Sequence, residues 1–195
     1  MPHVIGHFRD YIYNQTSWAS VRDHCQLFVA FGGVALKNGQ IGQGGLGRHI
    51  QKESILEAHK NGVEFISVSP LRSDMIDDVD AAWLSIRPNS DAALMIGLCY
   101  VLLDEGLHDR AFLDRYCVGF DQFAEYLTGA SDGIVKDASW AGAICAMDAE
   151  AIKTLARRMA KLRTMLSFSW SFTRQAHGEQ PFWAGITLEI GRAHV

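Results

Sequence analysis

Four cysteines, Cys25, Cys99, Cys117 and Cys145, are all that 195 residues hold, and no two form a C-x-x-C pair. Their wide spacing suits neither an iron-sulfur cluster nor a structural zinc, so buried free thiols are expected. Positive charge is also short: the formal net charge is −4, without the basic footprint a nucleic-acid surface needs. No apolar run reaches the roughly 18 to 20 residues that span a bilayer. The longest, "AALMIGLCYVLL" from Ala92 to Leu103, has the length of a buried helix. The opening residues "MPHVIGHFRDYIY" lack the basic-then-apolar layout of a secretory signal. His3 and His7 stand four apart with no third ligand at a suitable spacing, so they read as surface or capping residues.

What is present is an ordinary globular composition, 48% hydrophobic and 21% charged. The length suits one well-buried domain and is too short for two large ones. "LFVAFGG" (Leu27 to Gly33) reads as a buried strand. After a Gly-rich loop, "HIQKESILEAHKNG" has helical spacing and stops at Asn61-Gly62. "EFISVSP" gives a second strand closed by Pro70, and "AAWLSIRP" a third. Asp91 is then placed to cap a helix ending at Gly106. Two short helical segments, "DRAFLDRYC" and "FDQFAEYLTG", look like an insertion. From Asp148, "DAEAIKTLARRMAKLR" puts Ile152, Leu155, Ala156, Met159 and Leu162 on one stripe, and leads into a fourth strand, Thr164 to Ser171.

Strands alternating with helices predict an α/β fold: a doubly wound, mostly parallel sheet with helices on both faces. Ligands of such sheets gather outside the carboxyl ends of the strands. Those ends carry Lys37 and Asn38, then Ser69 and Arg72, then Asn89, Ser90 and Asp91, and finally Trp170, Ser171 and Arg174. Lys37 and Arg72 are cations able to neutralise a phosphate or pyrophosphate, or else solvated loop residues. Asp91 is able to accept two hydrogen bonds from an amino-and-imino edge such as guanine, or else to act as a plain helix cap. Ser69 occupies a place where nucleotide sites often keep an acid for ribose hydroxyls.

Two other segments invite a function. "GQGGLG" (Gly42 to Gly47) matches G-x-G-x-x-G, but that motif must turn directly from strand to helix, and here it stands well past Gly33 with no acid about 20 positions on. A flexible loop is the preferred reading, with a NAD(P)-binding Rossmann-type dehydrogenase domain, or a non-catalytic nucleotide-binding module, as the alternatives. "YNQTSW" (Tyr13 to Trp18) reads as the start of a helix capped by Ser17 or Thr16.

With these residues in place, the chain resembles the molybdopterin guanine dinucleotide S-/N-oxide reductases, the dimethyl sulfoxide, trimethylamine N-oxide and biotin sulfoxide reductase group. The resemblance rests on "MPHVIG" with "QTSW", "LKNGQIG", "ISVSPLRSD", "IRPNSDAALMIGL", "RYCVGFDQFAEYLTG" and, above all, "SWSFTRQAHGEQ" (Ser169 to Gln180). It implies a bis-molybdopterin guanine dinucleotide cofactor carrying molybdenum, and two-electron reduction of a small-molecule S-oxide or N-oxide in anaerobic respiration. It also implies a protein or quinol-linked cytochrome as electron donor. The resemblance carries cofactor contacts onto Lys37, Asn38, Val68, Ser69, Asn89, Ser90, Asp91, Trp170, Ser171 and Arg174. Asp91 would read guanine, the cations, Arg72 among them, would meet phosphates, and Trp170 with Arg174 would pack on the cofactor.

The chain departs from the family's pattern in three places. Ser69 stands where relatives usually have Asp, Thr173 where they have Gln, and "FGGVALKNGQ" lacks an Asn-Pro or Asp-Pro turn. The loop that supplies the protein ligand to molybdenum normally precedes "MPHVIG", so an internal fragment, inactive alone, is expected. Residues 1–188 are then part of a cofactor-binding domain. "IGRAHV" resembles translated sequencing-adapter DNA, so residues 189–195 are expected to be a non-native tail.

Overall fold

The structure, a computed structural model, describes residues 6–7, 15–40 and 47–191. "MPHVIG" up to Ile5, Tyr13 and Asn14 of "YNQTSW", and 42–46 of the Gly-rich motif lie outside the described residues, as do positions 192–195 of the expected tail. The chain forms two compact units, Met1–Ser85 with Arg163–Arg174, and Ile86–Leu162 with Gln175–Val195.

The first unit is built on a parallel sheet. Helix α1 (Trp18–His24) is capped by Ser17, whose hydroxyl accepts the Ser20 amide at 3.2 Å. Strand β1 (Leu27–Phe31) follows, then a 3₁₀ turn at Leu36–Gln40, helix α2 (Gln51–Lys60) and strand β2 (Glu64–Val68). Two further 3₁₀ turns, Arg72–Asp74 and Asp77–Val79, lead to the short β3 (Ala82–Leu84). Strand β4 (Thr164–Phe168) completes the sheet in the order β3-β2-β1-β4, every pair parallel. β1 lies between β2 and β4 and is buried along its whole length. That burial on both faces explains why "LFVAF" is continuously apolar rather than alternating. One face of the sheet carries a core of Phe28, Ala30 and Phe65 packed with Val21, Ile55 and Ala58 from the first two helices. Trp18 stacks on Phe28 at 5.6 Å.

The second unit is helical. Its centre is α3 (Asp91–Asp104), which packs against four neighbours: α5 (Phe120–Leu127), α6 (Ala138–Cys145), α7 (Ala149–Lys161) and α8 (Glu179–Gly191). Between α3 and α5 lies α4 (Arg110–Tyr116), capped by Asp109. Leu94, Met95, Leu98 and Leu102 of α3 are fully buried, as are Ile152, Leu155 and Met159 of α7. Each such side chain contributes roughly 1.5 to 3 kcal/mol. Gly97 lets α6 approach closely, since a Cβ there would sit 2.4 Å from Ala141 Cβ. Asp148 caps α7 by accepting the Ala151 amide, as its place before the stripe predicts.

Five expectations change. Length alone argues for one core, whereas the chain divides into two compact units. β4 ends at Phe168 instead of Ser171, because Ser169 turns the chain into a 3₁₀ turn at Trp170–Thr173. Asp91 is the first residue of α3 rather than its cap: Ser90 holds the cap position, with no side-chain hydrogen bond closing it. Helices α6 and α8 have no counterpart among the segments read from the sequence. All four cysteines are free, but burial is complete only for Cys99 and Cys145, with Cys25 and Cys117 half-buried.

Candidate functional site

The order of the sheet decides where a ligand belongs. Reading outward from β1, the chain proceeds to β2 and β3 on one side and to β4 on the other, so the strand order reverses between β1 and β4. In open α/β sheets this reversal opens a crevice at the carboxyl ends of the strands. Residues after Phe31 and Phe168 therefore stand at the crevice of the first unit.

Both ends are shaped for close approach. Gly32 and Gly33 follow β1 with φ of +83° and +70°, a conformation that side chains other than glycine's rarely adopt. A Cβ on Gly32 would lie 2.6 Å from Ser169 Cβ, and one on Gly33 would lie 2.4 Å from Asp74 Cβ. The loops after β2 and β4 thus close onto a stretch of β1 stripped of side chains. The sheet's hydrogen bonds continue past the strands: the Gly32 amide donates to Val68 O at 2.8 Å, and the Ser169 amide to Phe31 O at 2.9 Å.

On this edge the first unit brings together most of the residues expected there. Val68 is the buried last residue of β2. Ser69 is also fully buried, its hydroxyl donating to Asp74 Oδ2 at 2.6 Å and its carbonyl accepting Trp83 Nε1 at 2.9 Å. Trp170 and Ser171 occupy the 3₁₀ turn directly after β4, Ser171 donating its hydroxyl to Ser169 Oγ at 2.9 Å. Arg174 ends that turn. Lys37 and Asn38 are exposed in the turn after β1, and Arg72 is exposed after β2. Among the described residues no carboxylate pairs with Lys37, Arg72 or Arg174. Lys37 also lines a cleft of about 440 Å³ together with Lys52, Ser73, Asp77 and Asp78. Lys52 is 3.5 Å from Asp78, a solvent-exposed contact.

Asn89, Ser90 and Asp91 follow β3 in sequence but belong to the second unit, at the start of α3. Asn89 is exposed with φ of +66°, which turns the chain sharply into the helix. Ser90 is buried, and its hydroxyl donates to Arg87 O at 2.6 Å. Asp91 is 7% exposed. Burial pushes its carboxyl up to about 6, against a smaller opposing pull from its own backbone amide. No cation or side-chain donor pairs with Asp91 among the described residues. A desolvated acceptor without a side-chain partner costs the fold stability.

The sequence missed Gly32, Gly33, Ser169 and Asp74 as parts of the edge. The Gly-Gly pair at the end of an apolar run was the available signal for the first two. His177 and Glu179, both within "SWSFTRQAHGEQ", stand 3.9 Å apart in the second unit, with His177 exposed at φ of +57° and Glu179 the first residue of α8. The nicotinamide alternative is not favoured, since its glycine motif stands far from the end of β1 in sequence and the relatives lie elsewhere.

The family model described as "Molybdopterin oxidoreductase" matches residues 14–192. The chain is 42% identical to a biotin sulfoxide reductase of Cereibacter sphaeroides over 178 residues, 89% of this chain and 24% of that protein. It is 40% identical to a dimethyl sulfoxide/trimethylamine N-oxide reductase of the same organism, covering 96% of this chain and 23% of the relative. Against a trimethylamine-N-oxide reductase of Haemophilus influenzae the identity is 36%, covering 96% and 22%. The chain thus spans about a quarter of the length of the curated relatives it matches. The fold is similar to acetylene hydratase from Pelobacter acetylenicus, with a TM-score of 0.70 at 20% identity, covering 93% of this chain and 24% of the other. With a parallel sheet whose edge is shaped for close approach and a family match across nearly all of its length, the chain belongs to the molybdopterin oxidoreductase family, whose cofactor is a molybdopterin.

Proposed function

We propose that the chain supplies part of the binding site for a bis-molybdopterin guanine dinucleotide cofactor, in a molybdenum enzyme that reduces S-oxides or N-oxides to the sulfide or amine and water. On this reading residues 1–188 are part of the cofactor-binding domain, and substrate and electron donor engage the larger protein. When bound, the cofactor supplies the two-electron redox chemistry. The residues of this chain bind and orient it.

The residues fit such a group on both of its chemistries. Lys37, Arg72 and Arg174 are cations without carboxylate partners among the described residues, suited to a pyrophosphate. Gly32 and Gly33 let the loops after β2 and β4 close onto the end of β1, which holds Ser169 and Asp74 beside the crevice. Val68, Ser69, Trp170 and Ser171 line the same edge, with Trp170 offering an aromatic surface to a planar ring. In the second unit, Asn89 and Ser90 shape the entry to α3, and Asp91 accepts the N1–H and amino group of guanine. That buried acid carries the reading, because an unpaired carboxylate costs stability and is retained where a ligand repays the cost.

Calorimetric titration of guanosine and inosine diphosphates into the chain tests it. Inosine lacks the amino group, so the wild-type chain is expected to favour the guanosine ligand about tenfold, and Asp91→Asn to abolish the preference. Equal affinity for both nucleotides in the wild-type chain would remove Asp91 from this role.

A further inference from the structure

The second strand of a doubly wound nucleotide site commonly ends on an acid that accepts from ribose hydroxyls. Here β2 is followed by Ser69, a buried residue whose hydroxyl is already committed. It donates to Asp74 Oδ2 at 2.6 Å and accepts the Leu71 amide at 3.3 Å. A neutral, buried and occupied hydroxyl is poorly suited to grip two more hydroxyls.

Asp74 is better placed. Its carboxylate is half-buried, steered by Ser69, and pinned through the backbone: its amide donates to Leu71 O at 3.2 Å and its carbonyl accepts the Val34 amide at 2.7 Å. Gly33 gives it room, since any Cβ at that position would overlap the Asp74 side chain. Among the described residues Oδ1 accepts no hydrogen bond and no cation pairs with the group. A plain structural tie between the loops after β1 and β2 would be served as well by a neutral amide.

We propose that Asp74, held in place by Ser69, is the acceptor for the vicinal hydroxyl pair of a ribonucleotide moiety at this strand end. Asp74 thereby takes the part of the acid that position 69 lacks. The inference rests on the proposed guanine dinucleotide cofactor and concerns the strand ends of the first unit alone.

The test titrates guanosine diphosphate and its 2′,3′-dideoxy analogue into the chain. The wild-type chain is expected to prefer the ribonucleotide about tenfold. Asp74→Asn, which keeps an acceptor for Ser69, is expected to reduce that preference below about twofold while leaving the affinity for the dideoxy analogue unchanged. Ser69→Asp combined with Asp74→Asn is expected to restore it. Equal affinity for the two ligands in the wild-type chain overturns the inference without any variant, and leaves guanine selection by Asp91 standing. A preference that survives Asp74→Asn, or affinities for both ligands that fall by the same factor, overturns it too. A wild-type chain that takes up neither nucleotide sinks the guanosine reading and this inference together.

Discussion

The two units hold opposite kinds of charge in opposite surroundings. In the sheet unit, Lys37, Arg72 and Arg174 stand in solvent on the loops after the strands. In the helical unit, Asp91 is buried against the start of α3 with no protein partner among the described residues. Solvated cations cost the fold almost nothing and attract an anion over a distance that salt screens. A buried acid weakens the fold and is selective, since only matching donors offset its lost hydration. The difference teaches that two charged groups of opposite sign can be carried at very different costs in stability.

The strongest way to break the comparison is to disturb the bare stretch of β1. Gly33→Val must force a side chain into Asp74 at a positive φ, and is expected to cost about 3 kcal/mol or more in urea unfolding. Gly62→Ala, also at positive φ but with open space around it, is the control, at about 1 kcal/mol. Similar losses at the two sites would show that Asp74 yields easily and that the loops are not tightly joined.

A smaller effect, of opposite sign, belongs to Asp91. Its folded carboxyl titrates near 6, above the ordinary value of 3.8, so the folded state holds this proton more tightly than the unfolded one. The corresponding stability is present below the unfolded value and is lost as pH rises through about 6. Asp91→Asn is therefore expected to raise stability by about 2 to 3 kcal/mol at pH 7.5, and to change little at pH 4. Denaturation curves at the two pH values check this. Guanosine diphosphate affinity runs the other way, rising with pH through about 6 and then levelling, because the charged form is the acceptor. A flat profile between pH 5 and pH 8 in the titration would break that link.

The smallest effects are those of the exposed cations. Lys37→Ala, Arg72→Ala and Arg174→Ala are each expected to weaken guanosine diphosphate binding by about threefold at low salt, with the difference fading near 0.5 M salt. Melting temperatures should stay close to wild type. Losses that persist in salt would mean these side chains make close, desolvated contacts, and would narrow the contrast with Asp91.

Much of this arrangement was legible because its signals are local. "LFVAF" and "EFISV" announce buried strands by composition, Ser17 and Asp148 announce helix starts, and the stripe from Ile152 to Met159 announces a buried face. The strand-end residues followed from the rule that loops after parallel strands carry the ligand. What escaped notice depends on tertiary contacts. α6 is short and contains Gly142, whose tolerance comes from the close approach of Met147 O, at 2.6 Å from an ideal Cβ. α8 begins beside a proline and mixes aromatics with glycine, so its helicity reflects packing on α3. Asp91 looked like a cap because Asp before an apolar run usually is one, while its burial depends on neighbours far along the chain. The part played by Asp74 was hidden because only folding brings it beside Gly33.

One consequence of the sheet order concerns assembly. The strand that completes the crevice joins β1 across a long loop, as the contact between Arg163 and Gln26 spans 137 residues. Bringing such distant segments together is entropically costly and slow compared with the short β1-α2-β2 crossover. β4, with Trp170 and Ser171 following it, is therefore expected to dock after β1 and β2 have paired, an order that pulse-labelled hydrogen exchange checks. Until it docks, the crevice of the first unit lacks one of its walls.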